Sequence, residues 1–285
     1  MVSYARTRSA AQQQPRMVSS TPSVAILVPL SNRATLEPDE EISLAHLRHY
    51  LGAYDRFILA PQSLDISFPD FAIRRFDDRY FGSIRAHTTL LLSPEFYRAF
   101  SKYEFILTHH LDAIALSDQL DYWCSREWDF IGAPNHGTAD HLSMPCNGGF
   151  ALRRVESFLR VLTSKRLAID PERYWQTLCA DTPAWLRPWY LPRRYLKRLH
   201  RFNNVQREIR LMLEGPEPPL EDVFMVENAT KYDPEFRIPP VREALRFAFD
   251  ETPRKAFALN GGQLPFGAHA WYKHDRAFWE PYLLA

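Results

Sequence analysis

The most constraining feature of this sequence is a nearly unbroken apolar run at residues 103–116, which reads YEFILTHHLDAIAL. A strand covered by neighbours on both faces is apolar throughout, whereas a half-exposed strand alternates apolar and polar residues. The run therefore predicts the central strand of a parallel sheet in an α/β protein. His109, His110 and Asp112 follow its most apolar part, where open α/β sheets bind ligands. The alternative is a hydrogen-bonded core cluster, since histidines in this context more often pack than bind metal.

Charge and cysteine content limit the function classes. The 285 residues include 35 basic and 34 acidic ones, so no overall field favours nucleic acid as a partner. The three cysteines show no CxxC spacing, which argues against a disulfide framework or a structural zinc site. Since no stretch approaches the roughly 20 apolar residues of a membrane span, and no secretory signal is evident, we expect a cytoplasmic protein.

The chain divides into a tail, a domain and an inserted segment. Residues 1–22 are polar and predict a disordered tail, whereas residues 23–285 predict a single domain. The domain begins with a strand, a helix and a second strand, a βαβ unit that suits nucleotide binding. It contains neither GxGxxG nor a P-loop motif. Residues at about 168–219 are rich in Trp, Pro and Arg, and this change in composition indicates a helical insertion.

Three further motifs carry polar groups suited to a site. Paired glycines follow Asn147 and permit close backbone approach to a ligand, although an ordinary tight turn explains them equally well. Glu221 and Asp222 open a predicted helix. Such a pair either stabilises the helix start or faces a cleft, where one carboxylate acts as general base and the other orients a hydroxyl group. His269 lies in a turn-rich aromatic segment that is too irregular for a core helix.

The basic part of the insertion, residues 185–213, has apolar positions near helical spacing among many arginines. A basic amphipathic helix with aromatic neighbours binds anionic lipid. The alternative is a helix that packs on its own domain and leaves its basic face in water. The sequence therefore predicts either a peripheral membrane contact or a structural helix.

Five segments occur in order along the chain: HHLDAIAL, DFIGAP, CNGGFALR, EDVFM and PFGAHAW. Together they resemble a bacterial glycosyltransferase-like family catalogued as domain of unknown function 5672. The resemblance implies a GT-A-like, Rossmann-like fold with a mixed, mostly parallel central sheet flanked by helices. It also implies binding of a nucleotide-diphosphate sugar.

The resemblance gives each motif an expected role. Asp112 matches the last acid of the GT-A metal motif, and His110 replaces the acid two positions before it. His269 resembles the carboxy-terminal histidine that completes the metal site or touches the diphosphate, so the expected cofactor is Mn²⁺ or Mg²⁺. Asp222, beside Glu221, resembles the base that deprotonates the acceptor. The residues expected to bind substrate are Pro29, Ser31, His110, Asn147, Gly148 and Gly149.

We therefore expect a cytoplasmic glycosyltransferase, of the hexosyltransferase class, that moves a sugar to a saccharide or lipid-linked hydroxyl. The expected setting is bacterial surface polysaccharide or glycoconjugate synthesis, with residues 185–213 at the inner membrane face. One alternative is a non-catalytic sugar-binding or assembly partner with the same fold. A His/Asp metallohydrolase is the least favoured alternative, because successive strand residues point to opposite faces and separate His109 from His110 and Asp112.

Overall fold

The computed structural model describes residues 23–30, 33, 35–136, 142–143 and 146–284. The predicted tail and Ser31 lie outside these residues. Within them the largest sheet has six strands, which follow one another in space as β3 (Ala72–Phe76), β2 (Asp55–Pro61), β1 (Val24–Pro29), β4 (Phe105–His109), β9 (Phe150–Arg154) and β6 (Phe130–Gly132).

The large sheet is mixed. Its first four strands are mutually parallel, whereas β9 runs antiparallel to both β4 and β6. His109 pairs with Phe150, so the start of β9 lies beside the end of β4. The predicted α/β architecture, a mixed, mostly parallel central sheet flanked by helices, is confirmed.

The apolar run that predicted the central strand divides between two sheets. It forms β4, turns where Ala113 N–H donates to the His110 carbonyl at 3.0 Å, and then forms β5 (Ile114–Ala115). β5 pairs antiparallel with β11 (Gly267–Ala268), which pairs in turn with β10 (Ala248–Phe249). A separate pair contains β7 (Asn135–His136) and β8 (Leu142–Ser143).

The helices begin at residues suited to helix starts. Ser83 and Asp170, for example, accept backbone N–H groups at the starts of their helices. The α-helices of the described chain are α1 (Pro38–Leu51), α2 (Ile84–Leu91), α3 (Pro94–Ala99), α4 (Leu120–Ser125), α5 (Val155–Leu162), α6 (Pro171–Ala180), α7 (Arg187–Arg198), α8 (Val205–Leu213), α9 (Glu221–Tyr232), α10 (Val241–Phe247), α11 (Pro253–Leu259) and α12 (Arg276–Trp279). Short 3₁₀ helices lie at Asp78–Tyr80, Ala184–Leu186, His200–Phe202 and Glu280–Tyr282.

Apolar layers cover both faces of the large sheet. In β1, Ala25 and Leu27 belong to one buried cluster, whereas Ile26 and Val28 belong to the opposite one. Phe105 and Leu107 of β4 likewise face the layer opposite to Ile106. This two-sided burial accounts for the continuous apolar run in the sequence.

The segment predicted as an insertion contains α6, α7 and α8. Its basic part is divided, because α7 ends at Arg198 and α8 begins at Val205. Val205 and Ile209 of α8 are buried, whereas every residue of α6 and α7 is at least partly exposed. Among the described helices, none combines the length and apolar character that a membrane span requires.

Candidate active site

A cavity of about 570 Å³ lies where β1 and β4 end and β9 begins. This is the edge of the sheet at which α/β proteins bind ligands. All the predicted site residues that the structure describes line this cavity: Pro29, His110, Asp112, Asn147, Gly148, Gly149, Glu221, Asp222 and His269. Their placement brings the motifs together, while their individual roles remain predictions.

Three of these residues form a group with the chemistry of metal ligands. One ligand atom from each of His110, Asp112 and His269 lies within 4.8 Å of the other two. Nε2 of His110 is buried and has no hydrogen-bond partner among the described residues. Burial, with the nearby charges of His269 and His87, keeps the pKa of His110 well below its usual range. A neutral imidazole with an unused nitrogen fits a metal-binding role.

The donor set also limits the choice of cation. Mg²⁺ prefers oxygen ligands, whereas imidazole nitrogen suits transition metals. Two imidazoles and one carboxylate therefore fit a transition-metal ion better than Mg²⁺.

An ion-pair network surrounds Asp112. Its Oδ2 accepts a hydrogen bond of 2.6 Å from Nζ of Lys273, and its Oδ1 lies 3.4 Å from Nε2 of His269. Nδ1 of His269 lies 3.3 Å from Oδ1 of Asp250. Burial alone lowers the pKa of His269, but Asp112 and Asp250 raise it to about 9. Burial raises the pKa of Asp112, yet the hydrogen bond from His269 and the nearby positive charges hold it well below its usual range.

The two adjacent histidines have different environments. The His109 ring is fully buried and meets the Phe150 ring at a centroid distance of 5.6 Å and an angle of 71°. Burial lowers the pKa of His109 to about 4. His110 lines the cavity instead, with its ring 5.5 Å from that of His269. We call His110, Asp112 and His269 the metal-type group. The alternation of side chains along β4 separates His109 from this group, as expected from the sequence.

The reversed direction of β9 brings the Asn147–Gly149 loop to the same edge of the sheet. The His110 N–H donates to the Gly149 carbonyl at 2.8 Å, which joins this loop to the end of β4. A Cβ atom on Gly149 would lie 2.1 Å from the His269 ring. The second glycine is therefore required because His269 packs directly against the backbone.

Glu221 forms a buried ion pair. Its Oε1 accepts a hydrogen bond of 3.0 Å from Nη2 of Arg153, whose side chain is fully buried. The same Nη2 donates to the Gly148 carbonyl at 3.3 Å, and Nη1 donates to Oγ1 of Thr108. Because its charge is already paired, Glu221 is better suited to hold the loop than to accept a proton.

Asp222 has the properties of a base. Its Oδ2 accepts from the Gly148 N–H at 2.9 Å, and its Oδ1 accepts from the Val223 N–H at 2.7 Å. Burial, together with the charge of Glu221, raises the pKa of Asp222 to about 6. A carboxyl group with this pKa is still ionised at neutral pH and is a stronger base than an ordinary aspartate. The two adjacent acids therefore differ in environment, and Asp222, which the resemblance gave as the base, is the one with the raised pKa.

Arg153, Lys273 and Asp250 were not assigned a role from the sequence. Arg153 stands in a buried strand and Asp250 follows one, and a charge in such a position is a signal in itself. Lys273 follows His269 by four residues in a segment without regular periodicity, so no pattern indicated its contact with Asp112.

A family model described as Protein of unknown function (DUF5672) matches residues 70–269. The chain belongs to this family. The DUF5672 match includes His110, Asp112, Asp222 and His269, and it ends at the last of these. The resemblance expected from the five sequence segments is therefore confirmed.

Solved structures similar to this DUF5672 chain include glycosyltransferases. One, involved in the glycosylation of the major capsid of PBCV-1, has a TM-score of 0.44 and 10% identity, and the match covers 87% of this chain and 92% of that one. The WbbM bifunctional glycosyltransferase has a TM-score of 0.43 and 10% identity over 87% of this chain and 45% of that one.

The glycosyltransferase GlyE of Streptococcus pneumoniae TIGR4, in its apo form, has a TM-score of 0.42 and 12% identity over 93% of this chain and 61% of that one. The match thus spans less than two thirds of the WbbM and GlyE chains. A comparison with curated proteins gives no match. With TM-scores below 0.5, the activity has to be inferred from the side chains of the site.

Proposed function

We propose that this protein is a glycosyltransferase that moves a sugar, of the hexosyl class, from a nucleotide-diphosphate sugar to a hydroxyl acceptor. One observation carries the proposal: a metal-type group and a carboxyl group with a raised pKa line the same cavity. Transfer from such a donor requires charge stabilisation on the departing diphosphate and removal of a proton from the attacking hydroxyl. The two halves of the cavity are suited to these two tasks.

The leaving-group side consists of His110, Asp112 and His269, with Lys273 bound to Asp112. A divalent cation held by the first three residues would neutralise negative charge on the diphosphate. Lys273 provides a positive charge at the same carboxylate. Pro29, at the end of β1, lines the cavity and is a candidate contact for the nucleoside, as predicted.

The acceptor side is organised by α9. Asp222 accepts the proton of the acceptor hydroxyl, and the Gly148 N–H holds its carboxylate in place. Arg153 and Glu221 hold the Gly148 loop from behind. A base that is positioned by a backbone N–H and raised in pKa by burial contributes to the transition state more than to donor binding.

For the acceptor we infer a saccharide or lipid-linked hydroxyl in bacterial surface polysaccharide or glycoconjugate synthesis, on the cytoplasmic side of the membrane. The resemblance of the five sequence segments supports this setting.

A thermal-shift panel of nucleoside diphosphates and nucleotide sugars, with and without Mn²⁺, tests the proposal. A ligand at 100 times its Kd stabilises the native state by about 2.7 kcal/mol, or roughly 5–10 °C for a chain of this size. We expect such a shift with a nucleotide sugar in the presence of Mn²⁺. The absence of a shift with every donor would contradict the proposal.

The alternative is a binding protein without catalysis. It is favoured by the Lys273–Asp112 contact, which already occupies a carboxylate oxygen of the metal-type group. Release of free sugar or of nucleoside diphosphate from the donor identified in the panel would exclude this alternative. Stabilisation by the donor without any turnover, across a range of acceptors, would support it.

A further inference from the structure

The segment 171–202, which we call the arm, exposes a continuous apolar stripe. Trp185 and Trp189 are 75% and 80% exposed, and Leu196 and Leu199 are 43% and 53% exposed. Pro192 lies between them, so that the five positions are spaced by four, three, four and three residues. This spacing places them on one face of the helical arm. The stripe therefore lies in water, where large aromatic side chains are unfavourable.

The charges around the stripe are mostly positive. Residues 182–207 contain no acidic residue, and they contain seven basic residues: Arg187, Arg193, Arg194, Lys197, Arg198, Arg201 and Arg207. Glu172 of α6 binds Arg194 and Arg198 and thereby fixes α7 against α6. Arg193 stacks on Tyr190, and Arg201 lies over Phe202. Such cations beside exposed aromatic rings complement a negatively charged surface.

The arm is attached to the domain through α8 and a fixed loop. Val205 and Ile209 bury the first turns of α8 in the core. Nη1 of Arg85 donates to the Leu213 carbonyl at 2.7 Å, and its Nη2 donates to the Gly215 and Pro216 carbonyls at 3.0 and 3.4 Å. α8 is thus part of the domain, and within residues 185–213 the exposed stripe extends only from Trp185 to Leu199.

We infer that the stripe docks the protein on an anionic lipid surface. Tryptophan rings prefer the boundary between lipid headgroups and acyl chains, and flanking arginines bind anionic headgroups. Each basic residue near such a surface strengthens binding about fivefold at ordinary ionic strength. This docking does not depend on the proposed transfer reaction, and it narrows the predicted membrane contact from 185–213 to the arm.

Vesicle co-sedimentation of the full chain tests the inference, with phosphatidylglycerol-containing vesicles compared with pure phosphatidylcholine vesicles at low and high salt. We expect binding to the anionic vesicles alone, weakened by salt, with a blue shift of tryptophan emission. Replacing both Trp185 and Trp189 with Ser should weaken binding by on the order of tenfold and remove the blue shift. The matched control is Leu259→Ser, another exposed apolar residue.

A charge variant distinguishes electrostatic binding to anionic lipid from non-specific hydrophobic binding. The double substitution Arg193→Gln and Arg201→Gln should weaken binding to anionic vesicles by about 20-fold. The double substitution Arg98→Gln and Arg242→Gln removes the same charge from exposed positions elsewhere and should leave binding unchanged. Melting temperatures of all variants, compared with that of the native chain, verify that the variants fold.

Two kinds of result would overturn the inference. One is equal binding of the native chain to neutral and anionic vesicles, or equal binding of the arm variants and the native chain. The other is self-association: if the stripe joins two copies, sedimentation velocity shows a dimer that the tryptophan variant loses, and vesicle binding is absent. Since no donor or acceptor is present in these measurements, their outcome is independent of the transfer assay.

Discussion

The cavity and the arm depart from the usual distribution of side chains in opposite directions. The cavity buries charged groups: Asp112, Asp222 and Arg153 are all largely removed from water. The arm exposes Trp185 and Trp189, which are the kind of residues that cores contain. Soluble domains ordinarily bury apolar groups and leave charges in water.

The buried charges of the cavity and the exposed rings of the arm are both unfavourable, but they differ in what offsets their cost. Each buried charge in the cavity has a partner within the chain, such as Lys273 for Asp112 and Glu221 for Arg153. The rings of Trp185 and Trp189 remain mostly in water, and the lipid surface inferred above would cover them. Ligand binding in the cavity would therefore replace existing partners of buried charges, whereas docking of the arm would add a new partner. Substitutions should accordingly affect stability and catalysis in the cavity but neither property in the arm.

The largest effect is expected at the metal-type group. Asp112→Asn and His269→Ala should each reduce transfer by about 1,000-fold or more, since both remove charge stabilisation of the leaving group. Circular dichroism should show an intact fold, and calorimetric titration should show loss of Mn²⁺ binding. Near-native turnover in either variant would mean that the residue lies outside the diphosphate site.

Asp250→Asn is the graded control for these variants. Asp250 contacts Nδ1 of His269, which is not the ring nitrogen that faces Asp112. Loss of such an orienting partner typically weakens metal binding by about 10- to 100-fold. A Mn²⁺ affinity between those of the native chain and His269→Ala is therefore expected.

Asp222→Asn should lower kcat by roughly 100- to 10,000-fold with little change in donor affinity, because a general base acts on the acceptor in the transition state. In the native chain, kcat/KM should rise with pH through the Asp222 pKa of about 6, since the base works only when deprotonated. The rise should disappear in the variant. A variant that loses donor binding and keeps its turnover would instead place Asp222 in the donor site.

The same substitution should also change how stability depends on pH. The pKa of Asp222 is raised in the folded state, so its contribution to stability is greatest at low pH and is lost as the pH rises through about 6. At pH 7 the buried carboxylate is thus unfavourable, and Asn removes its charge. Because Asn also leaves one of the two backbone N–H groups without an acceptor, we compare the two pH values: the free energy of unfolding of the variant relative to the native chain should be higher at pH 7 than at pH 4 by about 1–2 kcal/mol.

One ion pair from the cavity and one from the arm allow the stability of the two regions to be compared directly. Glu221→Gln breaks the Arg153 pair, whose side chains are 0% and 8% exposed, and should cost about 3–5 kcal/mol because it leaves a buried charge unpaired. Glu172→Gln breaks the Arg198 pair of the arm, in which both side chains are 50% exposed, and should cost less than about 1 kcal/mol. Urea unfolding measures both. Similar losses in the two variants would remove the contrast between cavity and arm.

The smallest effect on stability is expected from Trp185→Ser with Trp189→Ser. Exposed residues away from special contacts usually change stability by less than about 0.5 kcal/mol each. Trp271→Ser is the contrasting variant, since Trp271 is fully buried and donates to Ser43 at 2.8 Å; its loss should cost about 3–5 kcal/mol. Marked destabilisation by the arm variant would mean that the tryptophans pack within the chain.

Local patterns predicted the elements of the fold better than its long-range pairings. Continuous apolar runs identified β1, β2 and β4, because burial on both faces leaves a signature in each strand. They could not show that residues 114–115 leave the large sheet to pair with β11, since that choice depends on distant residues. The reversal of β9 is likewise determined by pairing, not by composition.

The candidate site shows the same limit. The end of a predicted strand indicated that His110 and Asp112 belong to a site. Local composition and the family resemblance indicated the same for Asn147 and His269. Two partners set the properties of these residues: Asp250 is signalled locally only as a charge that follows a buried strand, and Lys273 has no local pattern. The distinction between Glu221 and Asp222 depends on which of them meets Arg153 in space.

His269 reaches Asp112 through a small sheet whose strands contain two residues each, where residue 268 pairs with residue 114. Pairing over such a separation forms late, because loop closure costs entropy before its contacts form. All six strands of the large sheet precede residue 155, so a chain folding from its amino terminus can complete that scaffold first. Cation binding would then report the final step of folding, and a chain that stopped before residue 267 would keep the scaffold's strands while lacking the third ligand.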